Sequence, residues 1–139
     1  GYVHIDVYPM RLTEENAADL MARYDIVADG SDNFETRHLI SKVSSKLGKP
    51  YVYGAIREFD GQVSVFNLPG GKKYQDLFPE EETHSMPRPP KGVFGVLPGM
   101  VGCAEATEVI KLITHCGESL SGKLWTIDLL TMQSHTLLV

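Results

Sequence analysis

A short polar run at positions 29–33 carries the residue types in this chain that are best suited to chemistry. Two carboxylates, a glycine, a hydroxyl and an amide follow one another, as Asp29, Gly30, Ser31, Asp32 and Asn33. An apolar stretch precedes the run and an amphipathic stretch follows it, which predicts that a strand ends and a helix begins here. Ligands collect at the carboxyl ends of strands in open α/β sheets, and Mg²⁺ prefers oxygen ligands and usually bridges to phosphates. One interpretation is therefore a magnesium and phosphate site.

The same residues also have a purely structural interpretation. Asp32 or Ser31 could accept a hydrogen bond from the free backbone N–H groups of the next helix and act only as its N-cap, and spacing alone slightly favours this. Arg37 lies one turn into that helix, on the side of Asn33. It could pair with Asp32 or reach a phosphate, but a surface salt bridge accounts for its position equally well. The residues alone leave both interpretations open.

Composition and charge exclude several classes of protein and site. The net charge is -5 without a basic run, so nucleic acid is not an expected partner, although one nucleotide such as ATP needs only a few placed groups. No apolar stretch approaches the ~20 residues that span a membrane. Cys103 and Cys116 do not form a C-x-x-C pair, so no zinc site is predicted and a reduced, cytoplasmic setting is expected. Cys103 is predicted to be a small core residue on a helix.

Hydrophobic periodicity predicts the elements that position the polar run. Strands are predicted over 3–8, 25–29 and 51–56, and helices over 14–23 and 34–47. This alternation favours right-handed crossovers and a parallel sheet. The pattern then changes, because Asp60-Gly61 is a strong signal for a hairpin turn between 56–59 and 62–67. Since hairpin strands are antiparallel, the sheet is predicted to be mixed.

The second half begins with an irregular segment. Residues 68–91 are rich in proline and glycine and lack periodicity. Loops of about this length are usually functional or disordered, and a mobile, partly functional loop and a disordered connection are equal alternatives here. Strands over 124–128 and 135–139 are predicted to form a closing antiparallel pair. A third helix is predicted over 100–114, with apolar residues that point mostly inward, namely Val101, Ala104, Val109, Ile110, Leu112 and Ile113.

Four stretches of the sequence resemble the ThiF/MoeB/HesA family of carrier-protein adenylyltransferases. They read YDIVADGSDNFETRHLISKVSSKLGKPYVYGAIREFDGQVSVFN, KYQDLFPE, GVFGVLPGMVGCAEATEVIKLI and SGKLWTIDLLTMQ. The motif D-G-S-D-N-x-x-x-R, followed by Y-G-A-I-x-x-x-x-G-Q-V, is far more specific than a glycine fingerprint. The resemblance extends from about Ile5 to Val139. It implies that residues 1–139 are the carboxyl-terminal part of one adenylation domain, with a truncated, Rossmann-like, three-layer α/β fold and a mixed sheet.

The resemblance also implies a reaction and its residues. The family activates a small ubiquitin-like sulfur carrier, whose carboxyl-terminal Gly-Gly carboxylate attacks the α-phosphate of Mg-ATP to give an acyl-adenylate and pyrophosphate. Sulfur is then loaded for thiamine or molybdopterin synthesis, and a homodimer is expected. By resemblance Asp32 is the catalytic aspartate at the magnesium and ATP site, and Arg37 belongs to the same signature. The cofactor-binding residues implied are Asp29, Gly30, Ser31, Asp32 and Asn33.

The departures from the family pattern matter as much as the agreements. The strand, glycine-rich phosphate loop and helix with which members begin would precede residue 1, so negligible adenylylation and an exposed apolar face are expected of this chain alone. Many members have the zinc-binding C-Y-R-C-L-F-P where this chain has Lys73–Pro79, and Lys and Asp cannot replace thiolates on zinc. No cysteine lies between Leu68 and Gly102, where Arg88 falls near the position of a sulfur-handling cysteine. No zinc and no thioester or acyl-disulfide chemistry are therefore expected there.

Two other functions remain open at this point. The chain could be a non-catalytic module that binds a carrier or partner, or that dimerises, through its hairpin and long loop. More remotely, it could be an unrelated nucleotide-binding half-domain such as a piece of a dehydrogenase.

Overall fold

The computed structural model describes residues 2–87 and 92–139 as a sheet with helices on both of its faces. The elements in chain order are α1 (Glu14–Met21), β1 (Val27–Asp29), α2 (Phe34–Lys46), β2 (Tyr51–Arg57), β3 (Asp60–Phe66), α3 (Tyr74–Leu77), α4 (Glu80–Ser85), α5 (Leu97–Thr114), β4 (Lys123–Asp128) and β5 (Gln133–Leu138). Within these residues, no helix combines the length and apolar character needed to cross a membrane.

The five strands lie in the order β1-β2-β3-β4-β5. β1 pairs with β2 in parallel, and every later pair is antiparallel. A parallel pair needs a crossover such as α2, whereas the short turns that join β2 to β3 and β4 to β5 allow antiparallel neighbours. β3 and β4 are joined by a long connection that contains α3, α4 and α5. The predicted class, α/β with a parallel part followed by antiparallel hairpins, is confirmed.

Alternate residues of the central strands pack on opposite faces of the sheet. Tyr51, Tyr53 and Phe66 form one core with apolar residues of α1, α2 and α3. Val63 lies in a second core, with α5 and the end of β4. α5 approaches the sheet closely because Gly61 has no side chain: a Cβ there would lie 2.5 Å from a methyl group of Val101. The result is three layers, with the sheet in the middle.

Residues 3–8 do not form the predicted strand, although their alternation of apolar and polar side chains is clear. The structure assigns them no secondary structure, and Val3, Ile5 and Val7 are exposed. An alternating segment becomes a strand only where a neighbouring strand satisfies its backbone hydrogen bonds. No described strand lies alongside this segment, so the pattern alone was not sufficient.

The hairpin is present, but the prediction that Asp60-Gly61 forms its turn is wrong. Arg57 pairs with Asp60, and Gly61 lies inside β3 opposite Ile56. The turn is made by Glu58 and Phe59, and Glu58 adopts the left-handed conformation with φ 48°. Gly61 packs closely against α5 and does not form the turn. The turn lies two residues earlier in the sequence than predicted.

The segment 68–87 contains the two short helices α3 and α4, so the alternative of a disordered connection is wrong for this part. Tyr74 and Phe78 occur four residues apart and pack together with a ring-centroid distance of 4.9 Å. Helices of one or two turns are too short to produce a visible period in the sequence. The predicted mobility remains a prediction, and Arg88 lies among residues 88–91, outside the described part of the chain.

α5 begins at Leu97, three residues earlier than predicted, with Pro98 in its first turn, where a missing N–H is tolerated. The prediction that its apolar residues point inward is wrong for Ile110 and Ile113, which are 57% and 64% exposed. Cys103 is also exposed rather than part of the core. Only the side of α5 that faces β2 and β3 is covered by described residues. The expected apolar face is therefore seen on this helix.

Candidate functional site

The polar run lies at the carboxyl end of β1, where the sequence predicted it. Asp29 is the last residue of β1, and α2 starts at Phe34, so residues 30–33 form the β1–α2 loop. Asn33 is the N-cap: its side-chain oxygen accepts a hydrogen bond from the backbone N–H of Thr36 at 2.8 Å. The structural interpretation, in which Asp32 or Ser31 caps the helix, is therefore wrong. Capping does not account for the carboxylate of Asp32.

Asp32 is exposed at the start of α2, so solvent reaches its carboxylate. One of its oxygens accepts a hydrogen bond from the side-chain amide of Asn33 at 3.1 Å. Among the residues that the structure describes, no group of three His, Cys, Asp or Glu side chains is placed to hold a metal ion. Asp32 could bind Mg²⁺ together with oxygens from water or a phosphate ligand, which is how Mg²⁺ is usually bound.

Asp29 has a different environment from Asp32, because it is only 2% exposed. One of its carboxylate oxygens accepts a hydrogen bond from the backbone N–H of Ser31 at 2.7 Å, and the other accepts the hydroxyl of Tyr51 at 2.5 Å. Burial and the neighbouring carboxylate raise the pKa of Tyr51, which therefore stays protonated and donates. Asp29 thus fixes the shape of the β1–α2 loop.

Arg37 is a buried cation rather than a member of a surface salt bridge. It is 7% exposed, and its Nη2 donates a hydrogen bond to the backbone carbonyl of Ser31 at 3.0 Å. The guanidinium carbon lies 5.7 Å from the ring centre of Phe34 and 6.0 Å from that of Tyr53, within range of cation–π attraction. Among the described residues it forms no ion pair with a carboxylate. Arg37 therefore ties α2 to the loop that carries Asp32.

The structure brings to this site a residue that the sequence analysis missed. Glu105 of α5 lies against β2, where a Cβ on Gly54 would be 2.3 Å from its carboxyl carbon. Burial, assisted by the charge of Asp29, raises the pKa of Glu105 to about 7. A signal was present in the sequence, since an acidic residue interrupts the apolar side of the third helix. Only the packing of α5 across the sheet shows that it meets Asp29.

Glu105 and Asp29 border an open crevice between β1 and α5 with a volume of about 400 Å³. The predicted loop residue Gly30 also lines it, whereas Asp32 does not. The other lining residues are mostly small and apolar, namely Ala28, Gly102, Ala106, Val109 and Ile110. The polar loop and an apolar crevice therefore meet at the carboxyl end of β1.

Known proteins share both the sequence and the fold of this chain. A probable molybdopterin-synthase adenylyltransferase of Pyropia yezoensis is 44% identical over 91% of this chain and 34% of its own length. A sulfur carrier protein adenylyltransferase of Thermus thermophilus is 44% identical over 92% of this chain and 50% of its own length. The crystal structure of E. coli MccB with ATP superposes with a TM-score of 0.68 at 19% identity, over 88% of this chain and 39% of that one.

The chain spans half or less of the length of these relatives. At the low identity of the crystal structure, the likeness supports only the fold, which is Rossmann-type as expected. The model of the ThiF family matches residues 1–139. The motif around Asp32, the architecture of the sheet and the family match agree, and this chain belongs to the ThiF family.

Proposed function

We propose that this chain is part of an ATP-dependent adenylyltransferase that activates the carboxyl-terminal Gly-Gly of a ubiquitin-like sulfur carrier, for thiamine or molybdopterin cofactor synthesis. The observation that carries the proposal is the arrangement of the β1–α2 loop. An exposed carboxylate, Asp32, lies at the end of a parallel strand, and the buried cation Arg37 binds the backbone of the same loop. Two relatives are named a sulfur carrier protein adenylyltransferase and a probable molybdopterin-synthase adenylyltransferase. These names support the choice of substrate.

The charges suit the reaction that we propose. An anionic peptide terminus must approach an anionic triphosphate, and Mg²⁺ bound there would lower that repulsion. Asp32 would supply one oxygen ligand, and its exposure leaves room for ligands from the nucleotide. Arg37 adds positive potential beneath the loop and fixes the carbonyl of Ser31. Asp29 and Asn33 hold the backbone in place by accepting hydrogen bonds from Ser31 and Thr36, and Gly30 lies between them in the loop. A homodimer is the proposed assembly.

Asp32→Asn tests the proposal in the protein expressed from its complete reading frame. With carrier, ATP and Mg²⁺, pyrophosphate exchange should fall about a hundredfold or more, because a charge that stabilises the transition state is removed. Asp19→Asn is the matched control, since Asp19 is an exposed aspartate on α1. The 139-residue chain alone should show negligible exchange. Normal exchange by the Asp32→Asn protein would contradict the role of Asp32.

A second candidate is a non-catalytic module that binds the carrier or another partner. It is favoured by the exposure of all six residues of β5, which include Leu137 and Leu138 at the edge of the sheet. Titration of the chain with a carrier that ends in Gly-Gly, without ATP, distinguishes the two. Tight binding together with absence of exchange in the complete protein would favour the module.

A further inference from the structure

Four apolar side chains are exposed together at one end of the sheet, in the turn between β2 and β3 and in the segment that leads into α5. Each is between 36% and 58% exposed, and they are Phe59, Val93, Phe94 and Val96. The two segments are joined, because the backbone N–H of Phe94 donates to the carbonyl of Glu58 at 2.8 Å, and the ring centres of Phe59 and Phe94 lie 5.7 Å apart. We call this surface the tip patch. Single exposed apolar residues are ordinary, whereas a contiguous group of them is typical of a binding surface.

Carboxylates border the tip patch. Glu58 is the residue before Phe59, and the N–H of Leu129 donates to the carbonyl of Phe59 at 3.0 Å, which brings the end of β4 to the patch. There Asp60 of β3 lies directly opposite Asp128 of β4. Like charges directly opposite each other on adjacent strands destabilise a sheet. Within residues 2–87 and 92–139, no ion pair involves any of these three carboxylates, so a partner with cations at its border would relieve the repulsion.

The tip patch lies at the same edge of the sheet as the candidate site. β1 and β2 run in parallel, and Asp29, the last residue of β1, is opposite Tyr53. From there β2 continues to Arg57, next to the turn, which is about 13 Å further along the sheet at the usual rise of a strand. An extended peptide of about five residues spans such a distance. A protein bound to the tip patch can therefore reach the exposed carboxylate of Asp32 with its chain terminus.

We propose that the tip patch is the docking surface for the folded body of the carrier protein, which meets it with an apolar surface bordered by Lys or Arg. This inference rests on the proposed function, because the tail of the bound carrier then points toward Asp32. A second copy of this chain fits the patch less well. Contact between two copies about a twofold axis places the same residues opposite each other. The border carries three carboxylates and one guanidinium, that of Arg57, so two such borders repel each other.

The test uses the protein expressed from its complete reading frame, with a ubiquitin-like protein that ends in Gly-Gly, from the same genome, as the probe. Phe59→Ser with Phe94→Ser should raise the Kd for this carrier at least about tenfold in calorimetry without ATP, because aromatic side chains contribute much of the affinity of an interface. A carrier that lacks its two terminal glycines should lose affinity to the same extent, since the body makes the contact. Ile113→Ser is the matched control, because Ile113 is an exposed apolar residue near the opposite end of α5. An unchanged Kd in the double variant would overturn the proposal.

Asp60→Asn is a second test, which keeps the apolar surface and removes one border charge. It should raise the Kd for the carrier about threefold to tenfold at low salt and less at high salt, because a charge at the rim of an interface acts through salt-sensitive attraction. No effect at low salt would overturn the proposed basic border. Sedimentation of the Phe59→Ser, Phe94→Ser protein separates the two occupants. Loss of self-association with an unchanged Kd for the carrier would assign the patch to a second copy and overturn the proposal.

Pyrophosphate exchange distinguishes failure of the docking surface from failure of the proposed function. In the Phe59→Ser, Phe94→Ser protein, KM for the carrier should rise at least about tenfold with little change in kcat, because the lost contact is the same in the ground state and the transition state. If the parent protein exchanges pyrophosphate and the variant keeps the KM of the parent, the docking surface is wrong and the proposed function stands. If the parent binds the carrier without exchange, the proposed function fails, and the Kd of the variant still decides on the docking surface. If the parent neither binds nor exchanges, both fail.

Discussion

Replacing Glu105 with Gln is expected to stabilise the chain at neutral pH and not at acidic pH. Gln has nearly the same shape, so it keeps the close contact with Gly54 and can still accept a hydrogen bond. The substitution removes the carboxyl group that can ionise beside the buried carboxylate of Asp29. The pKa of Glu105 is raised from its ordinary value of 4.5 to about 7, chiefly by burial and secondly by Asp29. Ionisation in the folded state is therefore the costly event that the substitution avoids.

The sign and size of the effect follow from this raised pKa. Well below pH 4.5 the carboxyl of Glu105 is protonated in the folded and unfolded chains alike, so it does not lower the free energy of unfolding. As the pH rises to about 7 the unfolded chain loses the proton first, and the free energy of unfolding falls. The full shift would correspond to about 3.4 kcal/mol, at about 1.4 kcal/mol for each pKa unit. Because Glu105 borders the open crevice, solvent screens part of this cost, and about 1–2 kcal/mol is expected.

Urea denaturation at pH 4 and pH 8 measures the effect. At pH 8 the Glu105→Gln chain should be more stable than the parent by about 1–2 kcal/mol, and at pH 4 the two should agree within about 0.5 kcal/mol. Glu35→Gln, at an exposed glutamate of α2, is the control and should change little at either pH. A stability difference for Glu105→Gln that is the same at pH 4 and pH 8 would refute the reasoning.

Three further substitutions test the local structure and the exposed face. Asn33→Ala removes the N-cap of α2 and should lower the free energy of unfolding by about 1 kcal/mol in urea, unless another group caps the helix. Tyr51→Phe leaves one buried oxygen of Asp29 without its donor and should cost about 1–3 kcal/mol; a smaller loss would mean that water replaces the hydroxyl. Ile110→Lys with Ile113→Lys should reduce self-association in sedimentation experiments without loss of folding, because both side chains are exposed. Unchanged self-association would show that the exposed apolar face of α5 does not mediate it.

Local rules and the sequence pattern predicted the polar loop well. The positions of β1 and α2 followed from an apolar stretch, a polar break and an amphipathic stretch, and the residues between them were identified correctly as the end of a strand. The change from parallel to antiparallel pairing at the β2–β3 hairpin also followed from the short connection there. These features depend on interactions between residues that are close together in the sequence, so they can be predicted without knowledge of the tertiary structure.

Other features depended on which surfaces meet in three dimensions. Residues 3–8 have a strand pattern but no described partner strand, so alternation did not produce a strand. Gly61 looked like a turn residue, and it lies in β3 because α5 packs directly over it. Arg37 was compatible with a surface ion pair, and it is buried against Phe34 and Tyr53.

The sequence by itself determined that a run of polar side chains stands at the end of β1, in a chain of the ThiF family. Only the tertiary structure decided which of them are free and which are engaged. Asp29 and Asp32 are chemically identical and three positions apart, yet one is buried between two donors and the other faces solvent. The physical reason is that the hydroxyl donor to Asp29 and the burial of its carboxylate come from β2 and α5, which are distant in sequence. Tyr51 and Glu105 acquire their surroundings in the same way.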